Sequence, residues 1–317
     1  MAFTTAAGYD NLSNGNFVPQ IYSQKVLKYF RRSSVAEAIT NTDYSGEIEN
    51  FGDTVKIIKE PTITVSAYQR GASINSQDLT DAEVSLTVDQ GNYFAFKVDD
   101  IEERQSHVNF EALATSSGAY ALKKQYDYNV LSAIQSGSST DSDLGAAGTA
   151  ASCNTGNECA NHLSTFARIL DENDVPEENR WFVAAPSFYE ILRQADSKLM
   201  DASVTGENTS ALLNGAVTSR LVHGFTLYQS NAIAVGSTGS DATATFGPST
   251  TSGETFSLAG HMSAVDTASA IAKTEVVRDP NSFADIVRGL HVFGRKVLRG
   301  SGTGFTGVLH GVPDINS

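Results

Sequence analysis

The chain of 317 residues is short of several things, and each shortage excludes something. Two cysteines cannot make a disulfide framework, which suits synthesis in a reducing cytosol. The longest unbroken apolar run is five residues, Trp181 to Ala185, whereas a helix that spans a bilayer needs about 20. Met1 to Asp10 has neither a basic region nor a continuous apolar stretch, so a cleaved secretory signal is not supported. Basic side chains are scarce: 22 Lys and Arg face 36 Asp and Glu, a formal charge of −14. A protein that wraps nucleic acid with its whole surface needs the opposite balance, so only a local basic face stays open.

Catalytic signatures are missing too. There is no G-x-S-x-G elbow and no G-x-x-x-x-G-K-[ST] loop, and the histidines at 107, 162, 223, 261, 291 and 310 show no H-E-x-x-H spacing. Gly302, Gly304 and Gly307 satisfy G-x-G-x-x-G, but only ten residues follow, whereas a dinucleotide site needs a helix and a second strand downstream. A Gly-rich turn explains them better. Cys153, Cys159 and His162 lack the paired spacing of a zinc knuckle and a nearby fourth ligand. Asp141, Asp143 and Gly145 faintly echo a calcium loop, but its last position would be Ser152 instead of Glu. The acidic group Asp99, Asp100, Glu102 and Glu103 is more economically a helix start, where the backbone dipole favours carboxylates, than a general acid/base pair. No catalytic residue, cofactor site or metal site is therefore expected.

What is present is enough apolar material for real cores, 40% of residues, in a length that suggests about two domains at roughly 150 residues each. Between Lys198 and Lys273 the only Lys or Arg is Arg220, and Gly, Ser, Thr and Ala dominate. This stretch reads as strands and loops with a nearly uncharged surface. Ser136 to Gly156 and Gly236 to Gly253 read as loops, and no repeat of solenoid period is found.

Periodicity predicts a mixed α+β chain. Val55 and Ile57, Ile63 and Val65, then Val84, Leu86 and Val88, then Phe94, Phe96 and Val98 alternate with polar neighbours, the pattern of half-buried strands. Two extended arms thus flank the polar segment Gln69 to Asp81. Thr54 to Ala67, if extended, reaches about 45 Å, against a radius of gyration of about 20 Å for a chain of this length. A hairpin that long has little core of its own to lie on, so it is expected to project onto another chain. Asn109 can cap a helix over Phe110 to Gln135, about 39 Å long. Ala114, Gly118 and Ala121 form a small-residue row along it, Leu122, Tyr126, Val130 and Ile134 an apolar side, and Lys123, Lys124 and Asp127 a solvated side. Leu163, Phe166, Ala167 and Leu170 predict a second helix face. Trp181 to Ala184 predicts a buried strand, Pro186 opens a helix, and Glu275 to Leu298 is strand-like.

The runs Gly52 to Ile57, Ile63 to Tyr68 with Gly71, Leu86 to Gln90, and Tyr93 to Ile101 with Gln105 and Ser106 carry a family resemblance. The sequence resembles the major capsid proteins of tailed bacteriophages, most tightly from Gly52 to Ser106 and in element order to the C-terminus. The resemblance implies the Hong Kong 97-type capsid fold. Residues 1–44 would form the N-terminal arm, 45–92 the E-loop hairpin, 93–149 the P-domain with its long spine helix, 150–265 the A-domain, and 266–317 the return to the P-domain and the C-terminal tail. It also implies a non-enzymatic coat protein, made in the bacterial host cytoplasm and residing in the virion. Hexamers and pentamers would close into an icosahedral shell around double-stranded DNA. Partners would be other copies of the chain, a separate scaffolding protein, a portal protein, a decoration protein in some shells, and DNA held by weak non-specific contact, with no membrane. The scaffolding protein is expected to be separate because about 50 residues precede the first arm motif, too few for a fused one.

On this reading Tyr68, Gln69, Arg70 and Asp78 at the E-loop tip lie on a neighbouring subunit; a local turn with solvated charges is the alternative. Arg288, Arg295, Lys296 and Arg299 bridge P-domains at three-fold contacts or form a solvated strand face, and Lys123 and Lys124 face the lumen or open solvent. Some members of the fold join a Lys to an Asn between subunits. Lys56 and Lys59 lie in the right arm, but no motif marks the Asn or an assisting Glu, so no crosslink is expected. Two other readings stay open: the shell of an encapsulin-type compartment, and a hydrolase built on Asp99 to Glu103.

Overall fold

The computed structural model describes residues 31–47, 52–61, 63–71, 73, 76–78, 82–101, 110–194, 221–235, 244–248, 253–301 and 306–315. Most of the expected N-terminal arm, Glu102, Glu103, Asn109, Gly302, Gly304 and two thirds of the 236–253 loop lie outside them.

The first element, α1, is the single turn Ala36–Ile39. β1 (Thr54–Ile58) pairs antiparallel with β2 (Glu83–Thr87), Thr54 opposite Thr87 and Ile58 opposite Glu83. The alternation of Ile63 and Val65 does not become a half-buried strand. No strand forms among the described residues between β1 and β2, and these two side chains are 70% and 94% exposed. No described residue covers them. β3 (Gln90–Asp99) follows, then the long helix α2 (Phe110–Gly137), free of Pro.

One face of α2 buries Tyr126, Val130, Leu131 and Ile134. Asp127 shares that face, since it lies three and four residues before Val130 and Leu131. It is 1% exposed, which corrects its expected solvated position. Its Oδ1 accepts the backbone N–H groups of Val35 and Ala36 at 2.9 and 2.8 Å and the Ser34 hydroxyl at 3.2 Å. It thereby caps α1 from another element, supplying acceptors for N–H groups that a helix start leaves unpaired.

The loop after α2 holds a small hairpin, β4 (Gly145–Ala146) and β5 (Thr149–Ser152). α3 (Gly156–Glu172) starts at a capping box, in which the Glu158 amide donates to Thr155 Oγ1 and the Thr155 amide to Glu158 Oε2. Cys159, His162, Leu163, Phe166, Ile169 and Leu170 form its buried stripe at helical spacing. β6 (Arg180–Ala184) is buried throughout, and Pro186 opens α4 (Pro186–Leu192), where its missing N–H is no loss. β7 (Leu221–Val222) and β8 (Phe225–Gln229) are joined by His223 and Gly224, both at positive φ (49° and 81°), as a two-residue turn of the primed class requires. β9 (Ser257–His261), β10 (Val265–Arg278), β11 (Ala284–Val297), β12 (Val308–Gly311) and β13 (Pro313–Asp314) complete the chain.

A five-stranded sheet in the order β12-β9-β6-β8-β7 packs against α3 and α4 through Phe166, Phe182, Phe188 and Phe225. Strands near the C-terminus thus join a sheet whose other members lie between residues 180 and 261, and β13 adds to β5. A second sheet, β10-β11-β3, is antiparallel and carries α2 across one face. There the Phe94 ring lies between Gly289, its cross-strand partner on β11, and Gly118 of α2. A Cβ added at Gly289 would come within 2.3 Å of the ring, and one at Gly118 within 2.7 Å. Gly118 therefore permits the close approach read from the sequence, whereas Ala121 is exposed. Tyr126, Val130, Leu131 and Ile134 share one core with Trp181, Leu258, Phe293 and Val308, so α2 ties the two sheets together. The β1–β2 base sits on the second sheet through Leu86, Val88, Ala268 and Val292.

Candidate assembly surfaces

The segment between β1 and β2 is where the chain is least satisfied by itself. Ile58, Ile63, Val65 and Tyr68 are 77%, 70%, 94% and 73% exposed, and Gln69, Arg70, Gln77 and Asp78 are exposed beside them. Gly71 turns at φ 87°, and the Thr64 amide donates to Gln77 Oε1 at 2.9 Å across the arm. At the base, Lys56 pairs with Glu83 at 2.8 Å. These side chains stand in solvent along one extended segment.

The β10–β11 hairpin end is built differently. Asp279 Oδ2 accepts Lys97 Nζ at 2.5 Å and the Ser282 hydroxyl at 2.7 Å, while Oδ1 accepts the Asn281 amide at 2.9 Å. The Lys97 ammonium and the two other donors hold its carboxyl well below the usual carboxylate range. Arg278 forks onto Asp100, with Nη1 to Oδ1 at 2.7 Å and Nη2 to Oδ2 at 2.5 Å, and also reaches Asp285 at 3.1 Å. The two carboxylates push the guanidinium above its ordinary value. Phe283 (80%) and Ile101 (63%) stand exposed on this end, with Tyr93 (77%) further along the sheet.

The four basic residues noted near the C-terminus do not form one cluster. Arg288 pairs with Glu275, its cross-strand neighbour. Arg295 follows seven positions later on the same strand, about 23 Å away, with its Nη1 4.0 Å from Asp89. Lys296 stands exposed opposite Asp266, and Arg299 donates to Ser263 Oγ at 3.4 Å. On α2, exposed Lys123 pairs with Glu37 at 3.0 Å, and Lys124 is half-buried. The fold brings Arg31 and Arg32 to the same place, which sequence spacing could not show. Arg31 donates to Ser116 Oγ and lies 5.3 Å above the Tyr120 ring, and Arg32 donates to the Lys124 carbonyl at 3.2 Å.

Several residues weighed for chemistry are engaged in contacts within the fold. His162 Nε2 and Ser257 Oγ are 3.0 Å apart, and burial pushes the imidazole down to about 4. The Cys159 thiol donates to the Cys153 carbonyl at 3.6 Å, and both thiols are buried. Asp141 accepts the Asp143 amide, and Asp143 pairs with Arg168 at 2.6 Å. A cleft of about 580 Å³ lies between the β1–β2 base and the β9–β10 corner, with Asp43, Lys59, Asp174, His261 and Arg299 on its walls. Asp99 and Asp100 are not among the residues that line it. No helix among the described residues is long and apolar enough to cross a membrane.

No protein-family model and no curated protein matches the sequence. Solved structures do. A structure from Mycobacterium phage Che8 superposes with a TM-score of 0.78 at 26% identity, covering 95% of this chain and 98% of that one. The capsid structure of cyanophage P-SCSP1u follows at 0.70 and 18%, covering 95% and 94%. The mature capsid of bacteriophage PhiM1 follows at 0.68 and 14%, covering 94% and 92%. The chain has the Hong Kong 97-type fold of tailed-phage major capsid proteins. α2 lies within the residues that the resemblance gives to the P-domain and its spine helix, and the segment between β1 and β2 lies within those it gives to the E-loop. The coverage of both partners in each superposition is nearly complete, so the resemblance read from residues 52–106 extends over the whole chain.

Proposed function

We propose that this chain is the major capsid protein of a tailed phage, associating as hexamers and pentamers into an icosahedral shell around double-stranded DNA. The observation that carries the reading is the E-loop, a segment whose apolar side chains stand exposed among the described residues of their own subunit, in a fold shared with phage capsids. Burying Ile63 and Val65 on a neighbour would contribute about 1.5 to 3 kcal/mol each, set against roughly 4 to 15 kcal/mol of association entropy for each contact. Contacts of that size are individually reversible, so misplaced subunits can leave before the shell closes.

The division into N-terminal arm (1–44), E-loop (45–92), P-domain (93–149 and 266–317) and A-domain (150–265) belongs to this proposal. The pairing of β12 with β9 argues for counting 308–314 with the A-domain sheet. Tyr68, Gln69, Arg70 and Asp78 are proposed to meet a neighbouring subunit. Of the basic set, Arg288 is held by Glu275, which leaves Lys296 and Arg299 as the more available cations for contacts between subunits. Lys123 and Lys124, now joined by Arg31 and Arg32, are proposed to face the lumen. A separate scaffolding protein, a portal protein and synthesis in the host cytoplasm complete the reading, with no covalent crosslink between subunits. The structures it superposes on are phage capsids, which favours this reading over an encapsulin-type compartment.

The test is assembly of two variants, Ile63→Ser/Val65→Ser and Gln69→Ala/Arg70→Ala, co-expressed with the neighbouring genes and followed by sedimentation velocity. Both should yield little fast-sedimenting shell while the unassembled subunit melts as the parent chain does, because these side chains are already in water. Parent-like shell yields from both variants would refute the assignment of the E-loop.

A further inference from the structure

Asp266 is buried, and among the described residues neither carboxylate oxygen has a well-formed hydrogen bond, because the adjacent Thr267 amide is aimed mainly at the Asn41 carbonyl. It lies on β10, two residues from Ala268, so strand alternation places both on the face that receives the E-loop base. That face is covered twice. The β1–β2 base seats Leu86 and Val88 against Ala268 and Val292, and its backbone comes so close to β11 that a Cβ at Gly294 would meet the Thr87 carbonyl oxygen at 2.6 Å. The turn at 41–47 lies alongside: the Asn41 amide donates to the Val265 carbonyl at 2.8 Å, and the Thr267 amide donates to the Asn41 carbonyl at 2.9 Å.

The ionisable groups around this pocket do not compensate the acid. On the turn, Asp43 bears the same charge. On β11, Lys296 is the cross-strand neighbour but makes no ion pair with Asp266, and Arg295 leans toward Asp89. On the hairpin base Asp53 and Asp89 are again acidic, and the one cation of its strands, Lys56, is paired with Glu83. A buried polar group without a partner is costly, and a carboxyl in such a place escapes the cost by keeping its proton.

We propose that Asp266 is a proton-operated latch for the E-loop base: protonated, it leaves the β1–β2 base and the 41–47 turn seated on β10 and β11, and ionised, it loosens them. Burial pushes its carboxyl up to about 6, the Thr267 amide opposes the rise, and repulsion from Asp43 adds to it. The seated form holds the proton more tightly than an unseated, hydrated form with an ordinary carboxyl. Seating is therefore favoured below the ordinary carboxylate range and weakens as pH rises through about 6. The linkage gives about a tenfold weaker seating at pH 7.5 than at pH 5. The latch acts within one subunit and does not depend on the shell reading.

Hydrogen exchange on the full-length chain, followed by mass spectrometry from pH 5 to 8 and corrected for intrinsic exchange, tests it. Protection of β2 amides should fall about tenfold across that range, with a midpoint at about 5.5 and a plateau above about 6.5, while β6 amides change little. Asp266→Asn should abolish the pH dependence. Should that variant not fold, Asp43→Asn, on the surface turn, serves instead and should move the midpoint down. β2 protection that is flat with pH in the parent chain, that stays pH-dependent in folded Asp266→Asn, or that keeps its midpoint in Asp43→Asn, would overturn the proposal.

Discussion

Gly289→Ala is a one-methyl change whose consequence can be worked out from the geometry at Phe94. The added Cβ would stand 2.3 Å from Cε1 and 2.8 Å from Cζ of that ring, closer than a Cβ approaches any neighbour in a folded protein. The ring cannot retreat, because its other edge already lies where a Cβ on Gly118 would be 2.7 Å away. Neither glycine sits at positive φ, so no backbone strain enters. Overpacking typically costs 1 to 3 kcal/mol, and a clash on this scale against a half-buried ring wedged between two elements belongs toward the upper end, about 3 kcal/mol. At about 2 °C for each kcal/mol in a chain of this size, the unassembled subunit should melt about 6 °C lower. Gly91→Ala, on the neighbouring strand with its nearest atom at 3.8 Å, is the control and should change stability by less than about 0.5 kcal/mol. Phe94→Leu removes the edge that clashes, so Gly289→Ala/Phe94→Leu should recover at least 1 kcal/mol relative to additivity, roughly the coupling expected of touching residues. Thermal and denaturant melts of the four variants read all of this. A Gly289→Ala subunit that melts with its parent, or strict additivity with Phe94→Leu, would refute the wedge.

His162 and Asp127 give two more. Burial holds His162 at about 4, below the ordinary histidine value, so the unfolded chain takes up a proton that the folded chain refuses. Stability is thus full above the ordinary value and is lost as pH falls toward 4, by about 2 kcal/mol between pH 7.5 and pH 5. Denaturant melts should show that slope reduced in His162→Gln, and an unchanged slope would contradict the assignment. Asp127→Ala removes the acceptor of two buried backbone donors at the start of α1 and should cost about 2 to 3 kcal/mol. Protease sensitivity near residues 31–39 should rise with it, and parent-like resistance would count against the cap.

Much of the architecture was legible because burial leaves a period in the sequence. The face Leu163, Phe166, Ala167 and Leu170, the unbroken run Trp181 to Ala185 and the opening Pro186 each declare an element and its inward face. Ile63 and Val65 declared an alternation too, but a single subunit supplies nothing to bury them, so the pattern is recorded in the sequence and absent from the monomer. Asp127 misled because polarity normally marks the outer face, and here it marks a cap for a helix 91 residues earlier. The fork of Arg278 on Asp100 joins positions 178 apart, and the meeting of Arg31 and Arg32 with Lys124 is likewise long-range. Periodicity is blind to such pairs because no local spacing encodes them. The proposed assembly surface is therefore legible in the sequence as an exposed arm but not as a set of contacts.

The central claim is that the E-loop finds on a neighbour the cover it lacks in its own subunit. An electron cryo-microscopy map of particles formed on co-expression with the neighbouring genes tests it directly. It should show closed shells of hexamers and pentamers in which Ile63, Val65 and Tyr68 are covered by an adjacent copy. An E-loop folded back on its own subunit, or left in solvent within a closed shell, would contradict it.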